Sequence, residues 1–245
     1  MPQPVRLGAI VPAQNVMVER DFMASCPDGA SVHFARADID QSKPLHGQLA
    51  DMIEAAPKAA RVLAKADVRA ICFACTSASF LNGPGRDEES ARQITQASGV
   101  PAITTSTAVL NALAALGVGT VAVVTPYVDW VVEAEKEFLE KEGFRVCAIS
   151  GMGLERGSNI NAVELQAVIE ATIGIDRPEA GALFISCTDL AAIGAIEDLE
   201  SRLGKPVVTS NQASLWALCL KADIPPPAGY GRLMAVGPSL NANQS

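Results

Sequence analysis

Ala70-Ile71-Cys72-Phe73-Ala74-Cys75-Thr76-Ser77-Ala78-Ser79-Phe80 is an apolar run that ends in a cysteine and passes straight into small hydroxyl residues. Ala182-Leu183-Phe184-Ile185-Ser186-Cys187-Thr188-Asp189-Leu190 repeats it 112 positions later, counted from Cys75 to Cys187, with no gap between the two copies' ends. A short apolar run bounded by polar residues reads as a buried strand. Two further echoes support a duplicated design. Gly99-Val100-Pro101-Ala102-Ile103-Thr104 and the residues through Leu113 match Gly204 to Leu218 at an offset of 105, and Leu7 to Pro12 matches Val121 to Pro126 in type and closing proline.

Outward from these runs, strands alternate with helices. Strands are expected at Val5–Pro12, Ser31–Ile39, Val68–Ala74 and Val100–Thr104, then at Thr120–Thr125, Phe144–Ser150, Gly181–Ser186 and Val207–Thr209. Leu49, Ile53, Ala56, Ala60 and Leu63 give helical spacing between Gly47 and Ala66, with Pro57 placed to kink or split it. Ser106 is the expected cap of a helix ending at Gly117, and further helices are expected at 83–99, 128–142, 162–173, 190–203 and 214–222. Residues 151–161 read as a glycine-rich loop, and the tail from Pro225 as a surface wrap. Alternation of this kind builds parallel βαβ units. The expected fold is α/β, with two pseudo-symmetric lobes, each a parallel sheet flanked by helices. The lobes are 1–117 and 118–245, the C-terminal tail being able to return to the first, and the active site lies in the cleft between them.

The whole chain limits the chemistry. At 245 residues it can bury a sizeable core, and 49% hydrophobic with 4% aromatic residues makes that core aliphatic. A net charge of −8 argues against nucleic acid as a partner. No apolar run approaches the length of a membrane span, and Met1 to Asn15 lacks the pattern of a signal peptide, so a cytoplasmic location is expected. Cys26, Cys72, Cys75, Cys147, Cys187 and Cys219 are irregularly spaced and read as thiols. Cys72 and Cys75 have no second pair, and His33 and His46 lie at no ligand spacing, so no metal is expected.

In parallel sheets ligands bind beyond the carboxyl ends of the strands, where Asn15, Cys75, Tyr127 and Cys187 all fall. Two thiols on opposite sides of a substrate carbon can remove a proton from one face and return one to the other. Alternatively, one attacks an alkene carbon while the other supplies a proton. Neither route requires a cofactor. Thr76, Ser77 and Thr188, with the amides beside them, are placed to hold a carboxylate and stabilise the carbanion or enediolate. Cys72, Cys147 and Cys219 read as core residues. Asn15 reads equally as a turn residue, Tyr127 as a core aromatic, and Asn159 and Asn161 as caps of the next helix.

These residues resemble the aspartate/glutamate racemase superfamily over nearly the whole chain. Ile10-Val11-Pro12-Ala13-Gln14-Asn15, Ala74-Cys75, Thr125-Pro126-Tyr127 and Ser186-Cys187 are similar to the motifs of maleate cis-trans isomerases. Ile103 to Gly117 and Pro227-Ala228-Gly229-Tyr230-Gly231-Arg232-Leu233 are more similar to arylmalonate decarboxylases. The isomerase resemblance implies Cys75 as the nucleophile that adds to the double bond, and Cys187 as the proton donor and acceptor. It implies Asn15 and Tyr127 as carboxylate-binding residues and Asn159 as a contact to the distal carboxylate. The decarboxylase resemblance implies a dioxyanion hole of Thr76, Ser77 and Tyr127. Arylmalonate decarboxylases carry glycine where this chain has Cys75, so Cys75 favours two-sided chemistry; the isomerases lack the Thr76-Ser77 pair in this form.

The expected function is a cofactor-independent two-cysteine isomerase or racemase of a small carboxylate or dicarboxylate, maleate-like in the first instance. A decarboxylase or 2-aryl/alkyl-carboxylate racemase with Cys187 as proton donor is the alternative, and a non-catalytic carboxylate-binding protein a third. The resemblance also implies a homo-oligomer.

Overall fold

Two four-stranded parallel sheets carry the chain, and their strands follow the same spatial order. The computed structural model describes residues 3–81, 83–155 and 157–237. The first half runs β1 (Val5–Pro12), α1 (Met17–Ala24), β2 (Ala30–Ala37), α2 (Leu45–Ala64), β3 (Ala70–Phe73), α3 (Thr76–Phe80), α4 (Arg86–Ser98), β4 (Ala102–Thr104) and α5 (Thr105–Ala115). The second runs β5 (Thr120–Thr125), α6 (Asp129–Lys141), β6 (Arg145–Gly151), α7 (Gly157–Ile160), α8 (Leu165–Ile175), β7 (Ala182–Ile185), α9 (Ile196–Leu203), β8 (Val207–Thr209) and α10 (Ser210–Lys221). Spatial order is β2-β1-β3-β4 in one sheet and β6-β5-β7-β8 in the other, and every pairing is parallel.

Burial follows position in the sheets. The central strands β3 and β7 are wholly buried, as the continuous apolar runs require. At the outer edges, β2 and β6 are half-covered, whereas the opposite edges β4 and β8 are buried. The lobes meet on that buried side, where α5 packs along α10 and Thr105 and Ser214 share a 2.8 Å hydroxyl hydrogen bond. One apolar cluster consequently spans both halves, through Phe22, Leu113, Val121, Phe184 and Leu218. A second lies under α2, with Ile10, Leu49, Met52, Phe73 and Ile94.

Several local expectations need correction. Pro57 neither splits nor ends α2, which runs through it for 20 residues. The cap of α5 is Thr104, not Ser106: β4 passes into the helix with no loop, so the last strand residue accepts from Thr107 N, and Ser106 bonds Ser79 instead at 2.6 Å. By the same arrangement α10 starts at Ser210, four residues before the expected start, with a capping box between Thr209 and Gln212. α1 and α3 were not anticipated. The helix expected from Leu190 begins as a short 3₁₀ turn at Ile193–Ala195 before α9. The tail is more than a wrap, since Leu233 is fully buried and Tyr230 donates from its hydroxyl to Ala24 O in the first lobe. Residues 238–245 of that tail lie outside the described residues.

Candidate active site

In each sheet the chain leaves the two central strands in opposite directions, so the loops after β1 and β3, and after β5 and β7, diverge. A crevice opens at such a switch point, at the carboxyl ends of the strands. The two crevices face one another and merge into one pocket with about 600 Å³ of empty space, part of it open to solvent. Asn15, Cys75, Thr76, Ser77, Tyr127, Cys187 and Thr188 all line it. Hydrogen bonds across the lobes hold the crevices in register: Thr76 Oγ1 to Ser210 Oγ (2.9 Å), Asn15 Nδ2 to Thr188 Oγ1 (3.2 Å) and Thr188 Oγ1 to Ala74 O (3.3 Å).

Cys75 caps the five-residue α3 from an extended backbone (φ −148°), its Sγ lying 3.6 Å from Met52 Sδ. Burial pushes its thiol up to about 11, against the pull of the Ala78 amide and the Ser77 hydroxyl; the Asp189 carboxylate adds to the rise. Cys187 has φ +101°, a conformation that L side chains rarely adopt and that costs about 1–3 kcal/mol. Its amide donates to Ser210 Oγ at 3.0 Å, and the Asp189 amide donates to its Sγ at 3.4 Å. Burial pushes this thiol up to about 12, while the Tyr127 hydroxyl beside it favours the thiolate.

The other wall residues are held as firmly. Asn15 Oδ1 accepts from the amides of Met17 and Val18, so Asn15 starts α1 while its Nδ2 reaches across the cleft. Tyr127 is buried, packs edge-on to Phe80 at 6.4 Å, and has its phenol pushed well above the usual range by burial and by the thiols and Glu135 around it. Its main chain is braced by the loop after β6: Gly153 N donates to Tyr127 O at 3.1 Å and Leu154 N to Pro126 O at 2.8 Å. Gly151 comes so close that a Cβ there would lie 2.5 Å from Tyr127 O.

Asn159 is the exception. It sits on α7 facing solvent, outside the pocket wall, while its neighbours Gly157 and Ile160 line it. The turn of α7 aims the apolar Ile160 inward and the asparagine away, which single-position matching does not register.

Sequence reasoning missed three polar groups. Asp189 and Gln14 line the pocket, and burial pushes the Asp189 carboxyl up to about 7 although the Val16 and Met17 amides pull it down. Glu135 lies behind the site on α6; Ser186 Oγ donates to its Oε1, and burial pushes it up to about 7. A signal for Glu135 was present: Val131, Val132, Glu135, Phe138 and Leu139 share one buried helical face. Among the described residues no group of three or more His, Cys, Asp or Glu side chains is arranged to hold a metal ion, and no helix is long and apolar enough to cross a membrane.

The comparison that decides kinship covers almost the whole chain: the sequence model of arylmalonate decarboxylase matches residues 7–234. The chain belongs to the arylmalonate decarboxylase family. Within that family it is similar to proteins of two activities. Arylmalonate decarboxylase of Bordetella bronchiseptica is 31% identical over 237 residues, which cover 93% of this chain and 95% of that protein. Maleate isomerase of Nocardia farcinica is 28% identical over 247 residues, covering 97% and 98%. The solved structure of the Nocardia farcinica maleate cis-trans isomerase, a cysteine-to-serine mutant with a covalently bound succinylcysteine intermediate, superposes with a TM-score of 0.87 at 26% identity, covering 94% of this chain and 97% of that one. The family member described here is thus an enzyme standing between a decarboxylase and isomerases.

Proposed function

We propose that this chain is a cofactor-independent isomerase of a small carboxylate, working by two facing thiols in the manner of maleate cis–trans isomerisation. The observation that carries the reading is that Cys75 and Cys187, at equivalent strand ends of the two lobes, line one pocket. As a thiolate, Cys75 adds to one alkene carbon. A C–S bond forms, and the π pair passes to the neighbouring carbon and into its carboxylate as an enediolate. Cys187 then gives that carbon its proton, rotation about the new single bond follows, and the reverse steps return both thiols and release the trans isomer. Burial keeps both thiols protonated at rest, and each has donors that stabilise its thiolate once formed: the Ala78 amide and Ser77 hydroxyl at Cys75, the Tyr127 hydroxyl and Asp189 amide at Cys187. Asn15, Ser77 and Tyr127 supply donors for the carboxylate and its enediolate, and Thr76 and Thr188, whose hydroxyls donate to Ser210 and Ala74, line the same wall. A covalent succinylcysteine in the Nocardia farcinica relative supports the addition step. The homo-oligomeric state implied by the resemblance and the cytoplasmic location expected from the sequence pattern belong to this reading too.

A second reading has its own support. Thr76, Ser77 and Tyr127 stand in the same pocket as Cys187, the donor set that one-sided protonation after loss of carbon dioxide requires. Proton NMR in heavy water separates the two. With maleate, the first expects conversion to the trans isomer; with an arylmalonate, the second expects carbon dioxide release and one deuterium per product. Wild-type conversion of the arylmalonate alone would replace the first reading by the second.

A further inference from the structure

Behind the pocket, one buried carboxyl reaches the ends of two neighbouring strands, each of which leads into a residue of the pocket wall. Glu135, on α6, is 1% exposed, and its Oε1 accepts from Ser186 Oγ. Ser186 immediately precedes Cys187, and Thr125 stands two residues before Tyr127. β5 and β7 pair with Val124 opposite Ile185, and Ser186 N donates to Val124 O at 2.8 Å. Continuing that register by one residue sets Thr125 beside Ser186, with both side chains on one face of the sheet. Both are fully buried. The Thr125 hydroxyl is close enough to favour the Glu135 carboxylate, as the Ser186 hydroxyl does, yet Thr125 Oγ1 and Glu135 Oε2 make no full hydrogen bond. One proton answers both atoms. With Glu135 as the acid, the form that burial favours, its Oε2–H can donate to Thr125 Oγ1 while Oε1 keeps Ser186. As the carboxylate it can accept from both hydroxyls. In either form the carboxyl joins the two strand ends.

We propose that Glu135 is a positioning residue for the proton-transferring half of the site, tying Thr125 to Ser186 so that the Tyr127 hydroxyl stays beside the Cys187 thiol. Cys187 needs such support, because a backbone at φ +101° persists only where its surroundings over-determine it. Its amide is fixed by Ser210, and the residue before it by Glu135. The Tyr127 hydroxyl favours the Cys187 thiolate against burial, so a shift of either strand end is felt as a less acidic thiol. Glu135 does not line the pocket, and its action passes through Ser186 and Thr125. The proposal rests on the role given to Cys187 above, which the isomerase and decarboxylase readings share.

The test is the rate at which iodoacetamide alkylates Cys187 and Cys75 in the full chain at about pH 8, read for each cysteine peptide by mass spectrometry. Tyr127→Phe, which removes the hydroxyl itself, sets the reference. Glu135→Leu and Ser186→Ala are expected to slow Cys187 about five-fold or more, as Tyr127→Phe does, while Cys75 stays within about two-fold of wild type. Glu135→Gln is expected to restore the wild-type rate, because its carboxamide accepts from Ser186 and donates toward Thr125. The same order is expected in kcat with maleate and with phenylmalonate: a loss of about ten-fold or more in the Leu and Ala variants, recovered in Glu135→Gln. Should Glu135→Leu lack a cooperative melting curve, Ser186→Ala carries the test. Equal slowing of Cys187 and Cys75, an unchanged Cys187, or a loss in Glu135→Gln as large as in Ser186→Ala overturns the proposal. Turnover of phenylmalonate alone removes the isomerase reading and leaves the alkylation result standing, since that arm needs no substrate.

Discussion

The two lobes present the same Cys-Thr step at the end of the same strand, yet the chain continues differently after each. After Cys75 it enters α3 at once, from an extended backbone, and the thiol meets a helix amide and the Ser77 hydroxyl. After Cys187 no helix follows directly; the residue takes φ +101°, its amide is tied to Ser210, and Asp189 comes next. Burial and the Asp189 carboxylate raise both thiols, and the halves differ in what stands beside each: a helix amide and the Ser77 hydroxyl at Cys75, the Tyr127 hydroxyl and a strained backbone at Cys187. The duplicated strand supplies symmetry of position, and the residues just beyond it supply difference of role.

Breaking either half should have the largest effect. Cys75→Ser and Cys187→Ser are each expected to lower kcat by about a thousand-fold or more, while Cys219→Ser, buried away from the pocket, keeps activity. Steady-state kinetics on the three variants decides it; full activity in Cys75→Ser would falsify two-sided chemistry. Cys75→Gly sharpens the comparison further. It should abolish cis–trans conversion and leave one-sided protonation by Cys187, read as deuterium entering a single face.

The next effect lies behind Cys187. Glu135 titrates near 7 in the folded protein against an ordinary 4.5, so the fold holds its proton more tightly than the unfolded chain does. The linked stability is fully present below pH 4.5 and lost as pH rises through about 7, on the order of 3 kcal/mol. Melting curves of the wild type and Glu135→Gln between about pH 4.5 and 8 should converge at the acid end and favour the variant at the alkaline end. Parallel curves would remove Glu135 as a buried titrating group. Gly151→Ala is expected to cost about 1–3 kcal/mol and to raise KM, because the new methyl meets Tyr127 O and displaces that wall of the pocket. Smallest is Thr209→Ala, which removes the capping box of α10 for about 1 kcal/mol of stability with little change in KM.

Strands were legible where apolar runs are continuous and bounded by proline: β1, which ends in Pro12, β5, closed by Pro126, and β8, opened by Pro206, match their expected spans. The pocket wall was legible at Asn15, Cys75, Tyr127 and Cys187 because parallel sheets direct ligands to strand ends. Helix starts were less so. At Thr104 and Thr209 the last strand residue is itself the cap, so the hydroxyl that looks best in sequence, Ser106, is already within the first turn. Asp189 follows Cys187 closely in sequence, but nothing local says that its carboxylate turns toward Gln14 and Gly157 from elsewhere in the chain.

By itself the sequence determined two copies of one α/β design and a thiol at the end of each, because strand periodicity and offset are local properties that survive without coordinates. Only the tertiary structure decided that both thiols share one pocket, that Cys187 takes a strained backbone held by Ser210, and that Asn159 faces away. Those facts depend on how α5 and α10 pack the lobes together and on burial that shifts Glu135, Asp189 and both cysteines. Desolvation is a sum over neighbours distant in the chain, and so it is settled by packing.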